Sequence, residues 1–181
     1  MKLRLYLLFV LLLFCKAPGN TQVNLVPNPS FEIYDTCPYN NFNPQFNGAD
    51  AICRAVPWFQ PNGPHIYCGG SSDFFHECNA SVPNNCVGFQ YAKIGYGYAG
   101  AGWGNPDVPF GEYLEVQLIQ LMKQKKYCTS FYVNTPSVDL SSTNCIQARF
   151  TEDTVYQNQD WSLLNLTGGI DANEIVRDTS N

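Results

Sequence analysis

The chain has 181 residues, with 10 Lys and Arg against 15 Asp and Glu and a formal charge of −5. An acidic balance of this kind disfavours nucleic acid and anionic membrane surfaces, whose own charges repel it. The length suits one domain with its own hydrophobic core.

Residues 1–21 read as a secretory signal. Lys2 and Arg4 give a basic start, and Leu5 to Phe14 is a ten-residue apolar run, too short to span a bilayer. Small residues at Ala17, Gly19 and Thr21 place cleavage after Gly19 or Thr21, with Gln22 taken as the mature N-terminus. Cys15 offers a competing lipoprotein reading, but Phe14 stands where acylation signals want a small side chain. Loss of Lys2, Arg4 and Lys16 leaves 7 bases against 15 acids, a formal charge of −8 on residues 22–181. These residues are expected to form a single domain that is secreted or held at the outer cell surface or in the periplasm. No later apolar run is long enough to cross a membrane.

From Asn28 to Asn85, Pro, Asn, Gly, Ser and Cys dominate, as in CPYNNFNPQFNG and WFQPNGPH. These are turn-forming chemistries, so this half is expected to be loop-rich. Seven cysteines follow the signal (Cys37, Cys53, Cys68, Cys78, Cys86, Cys128 and Cys145), a density that means disulfides in an oxidising compartment. The odd count leaves one thiol over, and the spacing leaves the connectivity open. His65, Cys68, His76, Cys78 and Cys86 include zinc-ligand types, but at irregular spacing in an exported chain, so disulfides are favoured over a metal.

The second half alternates. Val87, Phe89 and Tyr91 share a face, as do Leu114, Val116 and Leu118 within Glu112 to Gln120, then Tyr127, Thr129, Phe131 and Val133, then Ile146, Ala148 and Phe150. Period two predicts half-buried strands, with MKQKK joining two of them as a hairpin. Many short strands with Gly, Pro and Asn turns argue an all-β fold, a β-sandwich or jelly roll stapled by disulfides. The chain ends on a polar run with no closing strand, which suggests C-terminal truncation of the sandwich.

Catalytic signatures are absent from the sequence. There are only two histidines, no G-x-S-x-G elbow and no H-E-x-x-H helix. Asp73, Glu77, Glu112 and Glu115 are the carboxylates available for paired acid–base work, without a spacing that points to it. The expectation is a non-enzyme. Aromatic residues set among glycines and polar residues are the stronger signal: Trp58, Tyr96, Tyr98 and Trp103. An aromatic face stacks on the C–H face of a sugar while amides bind its hydroxyls, so these are the candidate carbohydrate-binding residues. Trp58 and Tyr98 serve equally as core plugs, whereas Trp103, in GAGWGN, is the better candidate for exposure. Asn79-Ala-Ser and Asn165-Leu-Thr are glycosylation sequons.

In order, NLVPNPSFEIYDTCP, VPWFQP, SSDFFHEC, VPNNCVGFQYAKIGYGYAG, EYLEVQL and KKYCTSFYVN resemble the N-terminal domain of secreted Bacteroidota surface proteins. Those proteins often continue into OmpA-like, gliding-motility-associated or type IX secretion sorting domains. The match is dense from Val23 to Val133 and loose beyond. The resemblance implies a galactose-binding-like jelly roll of the kind found in carbohydrate-binding modules. It also implies that Glu32 lies near a structural calcium site, and that Cys37 pairs with Cys78. EIVRDTSN resembles the family's run before further strands, and Asp153-Thr154-Val155 a short O-glycosylation signal. The expected function is a non-catalytic, extracytoplasmic module that binds glycan or cell-surface polysaccharide. The alternative is a structural spacer or protein-interaction domain of a cell-envelope or gliding-associated protein.

Overall fold

The computed structural model describes residues 23–38, 51–62, 72–79, 81–85, 87–105, 107–121, 125–135, 146–156, 163–164 and 170–171. The expected signal segment with Cys15, the residues His65, Cys68, Cys86 and Cys145, and the Asn165 sequon lie outside them. Among the described residues the regular structure is almost wholly β, in four two-stranded antiparallel sheets. No helix among them is long and apolar enough to cross a membrane.

Strand β1 (Asp73–His76) pairs with β4 (Gly97–Gly100) in the register Asp73 with Gly100, Phe74 with Ala99, Phe75 with Tyr98 and His76 with Gly97. The pairing sets bulky residues against small ones. A Cβ on Gly97 would lie 2.8 Å from His76 Cδ2 and 3.1 Å from the Phe31 carbonyl oxygen, so only glycine allows this approach. β1 is buried on both faces. Phe74 packs with Ile52 and Ala55 in a core that Phe31, Trp58 and Ala99 close, while Phe75 stacks on Tyr98 at 5.1 Å on the other side. Ile52 comes from a 3-10 turn, Ile52–Arg54, that leans on β1 through the bond from Ile52 N to Ser72 O.

β2 (Asn84–Asn85) and β3 (Gly88–Phe89) form one hairpin, β5 (Trp103–Asn105) and β6 (Val108–Gly111) a second with a register shift, and β7 (Gln147–Ala148) pairs with β8 (Ile170–Asp171). The core thus lies where turn residues dominate the sequence. The alternating stretches contribute less regular structure than their pattern predicts. Glu112 to Gln120 makes a single bridge, Glu115 with Phe59, plus bonds from Glu112 N to Gly102 O and from Ile119 N to Leu25 O. Tyr127 to Asn134 carries no assigned strand and is exposed along its length. Period two reports an extended backbone with two unlike faces; it does not supply the neighbouring strand that turns such a segment into a ladder.

Candidate functional site

The opening motif NPSFE is a set of clamps. Asn28 takes a left-handed conformation at φ 47°, which asparagine tolerates. Its side chain, 7 % exposed, accepts a bond from Ile33 N (3.0 Å) and donates to the carbonyls of Ile33 and Val56 (2.8 Å each). Its own carbonyl accepts bonds from Phe31 N and from the Trp58 indole N–H, the latter at 2.8 Å. Phe31 then packs on Trp58, ring centroids 5.1 Å apart.

Glu32 follows, and the structure overturns the calcium expectation for it. Its Oε1 accepts backbone N–H bonds from Tyr96 (2.7 Å) and Gly97 (3.2 Å), and its Oε2 faces His76 Nε2 at 3.7 Å. Gly95, at φ 72°, leaves room for this carboxylate, since a Cβ there would sit 2.2 Å from Glu32 Oε1. Calcium needs six or more oxygen ligands. Among the described residues no group of three or more His, Cys, Asp or Glu side chains is placed to hold a metal ion. Glu32 instead caps the turn that leads into β4.

His76 is 6 % exposed, and its ring lies 4.8 Å from that of Tyr34. Its Nδ1 accepts the Cys78 N–H at 3.0 Å, which puts the proton of the neutral ring on Nε2, toward Glu32. The Ser81 hydroxyl accepts from His76 N and donates to His76 O. Beside this junction Cys37 and Cys78 form a disulfide across 41 residues of sequence. Cys53 is also disulfide-bonded, and Cys128 is a free, exposed thiol. Asn79 of the first sequon spends its amide on the Pro38 carbonyl at 2.6 Å.

The four sequence-singled carboxylates do not converge as one group. Burial, with the nearby Glu112 charge adding to it, pushes the Asp73 carboxyl up to about 8. Its Oδ1 is buried and makes no hydrogen bond. Glu112, buried, accepts the Gly102 N–H at 2.6 Å. Glu115 accepts the Val155 N–H at 3.1 Å; burial raises its pKa and that bond works against the rise. Glu77 is exposed. A buried polar chain absent from the sequence reading lies nearby: Gln60 accepts from Ser72 N and donates to Asn62 O, while Asn62 donates to Gly111 O at 2.8 Å. The turn residues of WFQPN carry these bonds, so turn chemistry was the available signal.

Of the candidate sugar-binding aromatics, Trp58 lies against the core and Tyr98 stacks on Phe75, its hydroxyl accepting from Asn85 Nδ2 at 2.5 Å. Tyr96 and Trp103 are exposed, Tyr96 beside His76 and Trp103 at the start of β5. Another set of aromatics lies at the surface. Phe89 and Tyr91, 52 % and 60 % exposed, meet edge to face at 5.3 Å. Tyr132, 73 % exposed, has the Lys93 ammonium 5.0 Å from its ring centroid, a cation–π contact worth about 0.5–1 kcal/mol at such a site. The Asn134 amide donates to the Gln90 side-chain oxygen, tying residues 87–94 to residues 131–134. Alternation places Phe89 and Tyr91 on one face of a strand, and the structure shows that face to be open to solvent. No protein-family model matches the chain, and neither the curated proteins nor the solved structures contain a match to it.

Proposed function

We propose that residues 22–181 are a non-catalytic carbohydrate-binding module of jelly-roll β-sandwich type, exported by residues 1–21 and belonging to the Bacteroidota surface-protein domains that the sequence resembles. One observation carries this reading: the exposed pair Phe89 and Tyr91, and the exposed Tyr132 with the Lys93 ammonium over its ring, lie on two segments that the Gln90 and Asn134 amides join. Rings offer sugars a flat apolar face at low entropy cost, and amides serve their hydroxyls. The Cys37–Cys78 disulfide is in keeping with an oxidising, extracytoplasmic setting. A glycan array probed with the oxidised protein tests the reading. Binding to at least one glycan, weakened about tenfold in Tyr91→Ala and Tyr132→Ala at unchanged circular dichroism, is the expected result. A folded protein that binds no glycan sinks it.

A second reading, a spacer or protein-interaction domain of a cell-envelope protein, is favoured by the exposed Tyr127 to Asn134 stretch, whose backbone pattern suits strand addition from a partner. Protection of its amides from hydrogen exchange on adding a candidate neighbouring domain, without glycan binding, distinguishes this reading from the first.

A further inference from the structure

Resting on the carbohydrate reading above, we propose that the surface joining residues 87–94 to residues 131–134 takes an anionic glycan, one bearing uronate carboxylates. Charge along the chain is sharply sorted. Residues 78–106 and 116–138 contain no Asp or Glu, although the chain has 15 of them. The same two stretches hold Lys93, Lys123, Lys125 and Lys126, four of the seven basic residues outside the signal segment. The fold ties described residues of the two stretches together through Gln90 with Asn134 and Lys93 with Tyr132. The outcome is a surface on which an ammonium meets an exposed ring, on a chain that is acidic overall.

A uronate residue matches both features at once. Its C–H face stacks on Tyr132 or Tyr91, and its carboxylate lies within reach of the Lys93 ammonium, whose three donors serve more than one acceptor. Lys125 and Lys126, both exposed, extend positive charge along the same acid-free stretch. A uronan and a nucleic acid both carry one charge per repeating unit, so the net charge of −8 disfavours long polyanions of either kind and favours short uronate oligosaccharides held at the Lys93 surface.

Calorimetric titration of the oxidised chain tests this with three probes at pH 7: a polygalacturonate oligosaccharide, the same oligosaccharide with its carboxyls reduced to alcohols, and an oligodeoxythymidylate of similar length. We expect the uronate to bind about tenfold tighter than its reduced form, and to weaken as salt rises from about 0.05 to 0.5 M. Lys93→Met is expected to cost about 3- to 10-fold for the uronate and less for the reduced form, with Lys125→Ser/Lys126→Ser a second, smaller loss for the uronate. Equal binding of both sugar forms, indifferent to these variants, overturns the anionic preference and leaves the carbohydrate reading standing. Binding of neither sugar overturns the anionic preference, and the glycan array then decides the carbohydrate reading separately. Oligodeoxythymidylate binding as tightly as the uronate replaces the glycan with a nucleic acid.

Discussion

Replacing Asn28 with alanine should expose how much of the fold hangs on one asparagine. The side chain makes three hydrogen bonds, two to Ile33 and one to Val56. Each is worth about 1 kcal/mol net, so their loss costs about 3 kcal/mol. Alanine at φ 47° adds about 1 kcal/mol of left-handed strain, for a total of about 4 kcal/mol. For a chain of this size that lowers Tm by roughly 10 °C. Guanidinium denaturation of the oxidised protein, followed by the fluorescence of Trp58 and its companions, gives the free energy directly if the m-value is unchanged. Asn28→Gly separates the two parts: it loses the same bonds but not the backbone strain, and should fall about 1 kcal/mol short of alanine. If both variants lose less than about 1 kcal/mol, the idea that this side chain fastens the opening segment is wrong.

Two further outcomes concern Asp73 and the Cys37–Cys78 bridge. Asp73, pushed up to about 8 in the folded protein from 3.8, keeps its proton where the unfolded chain releases it. Stability therefore falls as pH rises from about 4 to about 8, and Asp73→Asn should flatten this slope and raise stability at pH 8, as read from denaturation midpoints across that range. Removing the Cys37–Cys78 disulfide as a Cys37→Ser/Cys78→Ser pair frees a loop of 41 residues' separation, with an expected cost of about 4 kcal/mol from loop entropy. A denaturation midpoint unchanged from the parent protein refutes that estimate.

Local chemistry was legible in the sequence, and long-range pairing was not. The turn residues of Asn28 to Asn85 announced a loop-rich half, and the resemblance named the Cys37–Cys78 bridge that the structure contains. Glu32 was singled out for the wrong duty. A carboxylate in sequence shows an acceptor, but its donors, the Tyr96 and Gly97 amides, lie 64 and 65 residues away. Asn28 was read as turn chemistry, and its bonds to Ile33 fit that, but those with Val56 and Trp58 lie beyond any local rule. Phe89 and Tyr91 show the converse limit: alternation gave them a shared face but not which side of that face meets solvent.

The clamp at NPSFE also bears on the order in which the chain folds. Its residues leave the ribosome first, while the groups they bind, Val56, Trp58, Tyr96 and Gly97, arrive 28 to 65 residues later. Contacts of such sequence separation are slow to form, because loop closure must be met before they contribute. The opening motif is thus among the first parts made and among the last fastened, and until its partners emerge it stays open to whatever acts on nascent chains.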